Sequence, residues 1–251
     1  MMQLTKIRFL NSNGIKLLAC LFMLIDHIGL LLLPKVHALR IIGRLALPLF
    51  AFALAEGCRY TKNKIKHLAL LSGLAFIVQL VYYLYDGSSY MSILVTFTCS
   101  VICIYALQFF KTTLFSTQRT YKKALAVLPF ICAVAGTYLI NTKVQIDYGF
   151  WGCMLPVFAS LPDFYRIPAP KALQKADCLP IRIACMSIGL VLLSIFIPQL
   201  KDIQIFSLLA IPLLLLYNGE KGKWNIKYFF YVFYPSHLVI LQGIAYLLQI
   251  L

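Results

Sequence analysis

The chain has 251 residues, 61% hydrophobic and only 12% charged, with a formal net charge of +15. A soluble domain is about half apolar and a quarter charged, so the composition excludes an ordinary soluble fold and points to an all-α polytopic membrane protein. The positive charge sits in short loops between apolar runs, the positive-inside pattern, and implies no nucleic-acid partner.

The first apolar run extends from about Ile15 to Leu33, preceded by Lys6, Arg8 and Lys16. It lacks a small-x-small cleavage site, so it reads as an uncleaved first helix. A second span, Arg40 to Gly57, carries Arg44, Pro48 and Glu56; Pro48 removes a backbone donor and is expected to kink or loosen the helix. The loop after it holds Arg59, Lys62, Lys64 and Lys66. The third span, about 67–85, ends in an acidic turn, Asp86-Gly87-Ser88-Ser89, and the fourth covers about 90–110. Residues 111–123 read as a further basic loop, and a fifth span covers about 124–140.

The stretch 148–161 is apolar but too short to cross a core of about 30 Å unaided. It is either a thinned span or a re-entrant segment. The longest polar stretch follows, 162–180, then spans at about 181–197 and 203–217. The loop NGEKGKWNIK, 218–227, precedes a final helix to Leu251. Counting every segment gives about nine transmembrane helices, with eight to ten as the range, in one domain over 1–251. With the N-terminus cytoplasmic, the inner loops hold three, four, four, three and three Lys/Arg, and no outer link holds more than two. That alternation sets the expected orientation. Basic loops on the cytoplasmic side would also meet anionic membrane lipids.

All eight cysteines read as small hydrophobes, with no CxxC and no metal site expected.

Ionisable residues at membrane depth are costly and mark function by default. Asp26 and His27 lie side by side in ACLFMLIDHIGLLLL. Arg44 and His237 fall at similar estimated depth, so the four are candidates for one polar cavity. Histidine is the natural general base near neutral pH. Consecutive helical residues point about 100° apart, so Asp26 is free to pair with Arg44 and leave His27 available. The alternative is a buried ion pair that fixes helix packing, with the histidines hydrogen-bonded beside it. A second constellation is cytoplasmic. Arg59, Tyr60, Thr61, Lys62, Asn63 and Lys64 follow the second span, and Asn218, Gly219, Lys221 and Gly222 precede the last. Both combine glycine or asparagine with lysine at helix ends, which suits phosphate groups; simple positive-inside charge accounts for the lysines equally well.

At these residues the sequence resembles the TraX family, membrane proteins associated with acetylation of conjugative pilin. The matching pieces are MLIDHIG at 23–29, IGRLALPLFAFALAEGCRYTKN at 42–63, VTFTCS at 95–100, DYGFWGCML at 147–155, and IPLLLLYNGEKG and FFYVFYPSHLVIL within 211–241. The resemblance implies transfer of an acetyl group from acetyl-CoA to an amine, such as a pilin N-terminus. More distantly the sequence is similar to membrane acetyltransferases of the heparan-glucosaminide type, in which CoA is cytosolic and the acceptor lies across the membrane.

On that reading acetyl-CoA docks on the cytoplasmic loops and the acceptor enters from outside. His27 takes the proton, while Arg44, Tyr231 or Tyr234 faces the oxyanion. Direct transfer is expected; an acetyl-histidine on His27 or His237 stays open. The location is a bacterial inner membrane. The competing expectations are O-acetylation of a cell-envelope polysaccharide or lipid-linked sugar, a transporter whose buried charges line a path, and a membrane scaffold.

Overall fold

The structure is a computed structural model that describes residues 8–87, 90–197, 201–223 and 226–248. Lys6, Ser88, Ser89, Trp224, Asn225 and Leu251, which figure in the expectations above, lie outside the described residues. Every named element is helical. Among the described residues, seven helical stretches are long and apolar enough to cross a membrane: 12–31, 37–60, 64–84, 93–114, 120–143, 179–196 and 229–247.

The two further segments in the count of nine are shorter. Helix α8, Gly149–Ser160, is about 18 Å long at 1.5 Å per residue. The stretch expected as a span over 203–217 is three pieces: α11 (Lys201–Gln204), a 3₁₀ turn (Ile205–Leu209) and α12 (Ala210–Leu215).

Proline explains where helices break. Its ring clashes with the carbonyl four residues back and it donates no hydrogen bond there. The stretch 37–60 divides into α2 (His37–Gly43) and α3 (Ala46–Tyr60), broken at Arg44, four residues before Pro48. The stretch 120–143 divides into α6 (Thr120–Leu125) and α7 (Leu128–Lys143), broken just after Leu125, four residues before Pro129. The 3₁₀ turn covers Leu208, four residues before Pro212. Each proline then lies in the first turn of the next helix, where a missing donor costs nothing. So Pro48 does not kink a continuous helix; it starts a new one.

The chain forms two compact units, 1–53 with 198–251, and 54–197. In the first, α1 (Ser12–Leu31) packs on α2 and on α13 (Lys227–Leu247), and α2 also meets α11 and the 3₁₀ turn. Asn11 caps α1, its side chain accepting from Gly14 N at 2.9 Å. Two glycines set the α1–α2 contact. A Cβ on Gly43 would stand 2.3 Å from the Asp26 Cβ, and one on Gly29 would stand 2.7 Å from the Leu39 Cβ.

In the second unit α5 (Ile93–Leu114) packs against α4 (Lys64–Asp86), α7 and α8, and α8 packs on α10 (Leu179–Phe196), which follows the short α9 (Lys171–Ala176). The buried face of α5 runs from Leu94 to Lys111. Ser100 Oγ crosses to the Cys153 carbonyl at 2.7 Å, and Thr96 Oγ1 to the Asp147 carbonyl at 2.7 Å. Helix α4 carries its apolar side chains outward, Phe76 being 70% exposed and Leu84 73%. In water that face would be unstable; against lipid it is the expected surface. All eight cysteines are free thiols, five of them buried.

Lys111 does not belong to a basic loop, as the sequence led us to expect. Helix α5 continues to Leu114, and Lys111 is buried. Its ammonium donates to the carbonyls of Ser160, Leu161 and Asp163 at 3.0, 2.6 and 3.0 Å. Three donors meet three carbonyls at the end of α8, a favourable site for a cation because the last carbonyls of a helix have no partners within it.

A candidate active site in α1, α2 and α13

The last third of α1 brings Asp26 and His27 to different partners. Asp26 is buried and turns to α2. Arg40 Nη1 donates to Asp26 Oδ2 at 2.6 Å and to its backbone carbonyl at 3.2 Å. Arg44 Nη2 donates to Oδ1 at 2.6 Å and Oδ2 at 2.7 Å. The pairing of Asp26 with Arg44 expected from the sequence is therefore present, with Arg40 as a third member. Arg40 and Arg44 share one face of α2 by their spacing of four residues, and Arg44 Nε also donates to the Arg40 carbonyl at 3.3 Å. The break after Gly43 leaves Arg44 buried at the start of the turn into α3. Among the described ion pairs, one carboxylate lies between two guanidiniums, a net positive set that favours an anion or a developing oxyanion.

His27 points elsewhere. Its Nδ1 lies 2.8 Å from the Met23 carbonyl, one turn back on α1. A carbonyl accepts and cannot donate, so the proton is on Nδ1. His237 on α13 repeats the arrangement, with its Nδ1 at 2.8 Å from the Phe233 carbonyl. Its Nε2 therefore carries the lone pair of the neutral ring, and that atom lies 3.4 Å from His27 Nδ1. The His27 Nδ1–H is thus shared between the Met23 carbonyl and His237 Nε2. The remaining nitrogen, His27 Nε2, is unprotonated in the neutral ring and has no hydrogen bond among the described residues. The rings meet edge to face at 5.0 Å, and Phe233 stacks on His237 at 4.9 Å with a 9° tilt. The buried Tyr234 lies 5.8 Å from the His237 ring. A proton taken at Nε2 would leave an imidazolium already held by two acceptors, an arrangement suited to general-base chemistry.

The loop ahead of α13 serves the start of α1. Leu10 N donates to the Leu216 carbonyl at 3.0 Å, Asn218 N to the Leu10 carbonyl at 2.8 Å, and Ser12 N to the Glu220 carbonyl at 2.7 Å. Gly219 and Gly222 both have positive φ, 84° and 88°. A Cβ on Gly222 would meet Asn13 Nδ2 at 2.7 Å. The Asn218 side chain accepts from Glu220 N at 2.9 Å, and Lys221 is exposed. These residues strap the loop to the helix.

The 59–64 segment belongs to the second unit and is also largely engaged. Arg59 Nη1 pairs with Asp163 at 2.8 Å and Asp177 at 2.5 Å. Tyr60 meets Tyr165 at 5.0 Å, and Thr61 Oγ1 donates to the Gly57 carbonyl at 2.6 Å. Asn63 caps α4 by accepting from Lys66 N at 2.9 Å, and Lys64 lies over the Tyr105 ring at 5.3 Å. Lys62 is exposed. Glu56 pairs with the buried Arg182 of α10. Asp163, Asp177 and Arg182 carried no signal as a set. Two sit in a polar stretch and one in an apolar run, and only the fold joins them to α3.

The chain is 28% identical over 268 aligned residues to a probable fimbrial assembly protein, FimC of serogroup H1, from Dichelobacter nodosus, covering 95% of this chain and 97% of the relative. No solved structure matches. The TraX protein family profile matches residues 11–245, which include Asp26, His27, Arg40, Arg44 and His237. The chain belongs to the TraX family.

Proposed function

We propose that the protein is a membrane-embedded acetyltransferase that moves an acetyl group from cytosolic acetyl-CoA to an amine acceptor, a pilin-like N-terminus, on the far side of a bacterial inner membrane. The observation that carries the reading is the His27 ring, held by Nδ1 and presenting Nε2 as a base. The net-cationic Asp26–Arg40–Arg44 cluster begins at the adjacent residue. Membership of the TraX family, associated with pilin acetylation, and a relative named for fimbrial assembly support a pilin-type acceptor. The orientation follows the basic loops, with the N-terminus cytoplasmic.

His27 Nε2 takes the proton of the attacking amine as its nitrogen bonds to the acetyl carbonyl carbon. The charge that develops on the carbonyl oxygen is stabilised by the surplus cation of the arginine cluster. The thioester C–S bond then breaks, and the proton held by His27 passes to the departing sulfur. His237 positions the base and stabilises its charged form through the shared Nδ1–H. Asp26 holds the arginines and does not contact the substrate.

The test uses full-length protein in lipid nanodiscs with acetyl-CoA and a peptide bearing a free N-terminal amine. CoA release and acetylated peptide are measured together, the latter by mass spectrometry. His27→Gln keeps a donor for the Met23 carbonyl but loses the base. Its kcat should fall by about 10²- to 10⁴-fold while the thermal midpoint is kept. A wild-type protein that acetylates no peptide, or a His27→Gln variant with full turnover, overturns the reading.

A further inference from the structure

The end of α3 and the loop after α8 form a second polar centre, wholly within the unit 54–197. Arg59 is held between Asp163 and Asp177. The same carboxylates accept backbone donors, Asp163 Oδ1 from Tyr165 N and Asp177 Oδ2 from Phe164 N, both at 3.0 Å. Lys111 fixes the carbonyls on the other side of the loop. Two carboxylates offset the charge of Arg59, so it is a poor seat for phosphate.

The next cation along the loop differs in every respect. Arg166 is exposed, and among the described residues no hydrogen bond or ion pair engages its guanidinium. Its backbone has φ 61°, in the left-handed region that glycine or asparagine normally fills. Such a conformation persists where the surroundings over-determine it, and it recurs at ligand clamps. Here the pinned residues 163–165 impose it. They set the guanidinium 4.8 Å over the Tyr165 ring, which in turn meets the Tyr60 ring at 5.0 Å. Both rings are open to the surroundings, 45% and 36% exposed for Tyr60 and Tyr165. The exposed Lys62 follows two residues after Tyr60. The Arg59 guanidinium lies over the same two rings, 5.0 Å from Tyr165 and 5.6 Å from Tyr60, so the surface they leave for a ligand is their exposed part. A guanidinium with no hydrogen bond or ion pair among the described residues, a lysine and two partly exposed aromatic rings together match a ligand that combines phosphate with a flat π-system.

We propose that Arg166, Tyr60, Tyr165 and Lys62 form the seat for the phosphorylated adenine head of the acyl donor, with the guanidinium on a phosphate and the rings against the purine. This rests on the acetyl-CoA reading above. It moves the expected cation from Arg59, which becomes a positioning residue for the loop, to Arg166.

The test is binding of adenosine 3′,5′-bisphosphate to the full chain in zwitterionic nanodiscs, by calorimetry. Wild-type protein should bind, and Arg166→Gly should weaken binding about tenfold or more. Glycine suits the left-handed backbone, so the thermal midpoint of that variant should hold or rise, separating a lost ligand contact from a lost fold. Tyr60→Ala should weaken the nucleotide severalfold and leave inorganic pyrophosphate unchanged. Arg166→Gly binding the nucleotide as tightly as wild type overturns the proposal. So does tight association with phosphatidylglycerol discs that nucleotide fails to compete, which would make the patch a lipid anchor. Acetyl transfer without measurable nucleotide binding at this patch sinks the assignment and leaves the transferase reading standing. Binding as described with no acetyl transfer sinks the transferase reading alone.

Discussion

The two units bury charge in opposite proportions. In the first, one carboxylate, Asp26, lies between two arginines, Arg40 and Arg44. In the second, one arginine, Arg59, lies between two carboxylates, Asp163 and Asp177, with Lys111 holding the neighbouring carbonyls. With Lys111 counted, the second set balances, two cations to two carboxylates, and it hydrogen-bonds the backbone around it, so it acts as architecture. The first keeps a surplus cation beside a histidine whose Nε2 is free to accept a proton. Burying charge is expensive in either case. An arrangement that leaves charge unbalanced therefore needs a use for it, and a transient oxyanion is such a use.

Removing the central member of each cluster should separate the two roles, and these are the largest effects expected. Asp26→Ala strands the buried Arg44 and the half-buried Arg40, at a cost of about 3–5 kcal/mol. Thermal unfolding in one detergent should show a large fall in midpoint, with acetyl transfer lost. Arg59→Gln strands two carboxylates and should destabilise by a similar amount. At temperatures where the variant stays folded, kcat should remain that of wild type, since Arg59 takes no part in the chemical step. A variant that loses kcat while keeping its stability would erase the contrast between the clusters.

Gly43 offers a finer cut. A methyl group there would stand 2.3 Å from the Asp26 Cβ, too close for any real contact. Gly43→Ala forces α2 away from α1, with a cost of about 1–3 kcal/mol. The shift moves the arginines relative to His27 without removing any polar group. Turnover should fall more than the stability loss accounts for, and KM for acetyl-CoA should change little. Equal losses in kcat and in folded fraction would mean that the α1–α2 spacing matters only for stability.

Much of the first cluster was legible in the sequence. Opposite charges in neighbouring apolar runs have to find one another, which made the Asp26–Arg44 pair predictable. Arg40 was missed because it stood at the edge of a run and was read as the start of a span. Its place one turn before Arg44 on a short helix was the available signal. The histidine pair was expected only as a similarity of depth; the two i−4 carbonyl contacts that fix the tautomers depend on rotamers no pattern reveals. The second cluster was hidden for a different reason. Asp163 and Asp177 are more than a hundred residues from Arg59, and no periodicity links them. Hydropathy does not show where a span is broken, because it measures apolar length and not continuity of hydrogen bonding. The stretch 203–217 is apolar enough, yet Pro212 interrupts its ladder. Lys111 was assigned to a loop because lysine usually marks one; three helix-end carbonyls made an interior position favourable instead.

A third kind of buried polarity extends the comparison to uncharged groups, and it carries the smallest effect. Gln204 and Ser207 lie one turn apart where α11 passes into the 3₁₀ turn, and both are fully buried. Among the described residues neither the Gln204 amide nor the Ser207 hydroxyl has a hydrogen-bond partner. A buried amide without a partner costs about 1–3 kcal/mol, which a leucine of similar size does not incur. Gln204→Leu should therefore raise the thermal midpoint by an amount worth about 1 kcal/mol. Gln204→Glu, which buries a carboxyl in the same place, should lower it. The sign is what distinguishes this residue from the charged clusters: there every truncation destabilises, because each group has a partner to strand. A Leu variant less stable than wild type would place Gln204 with them, as a group whose amide is hydrogen-bonded in the folded protein.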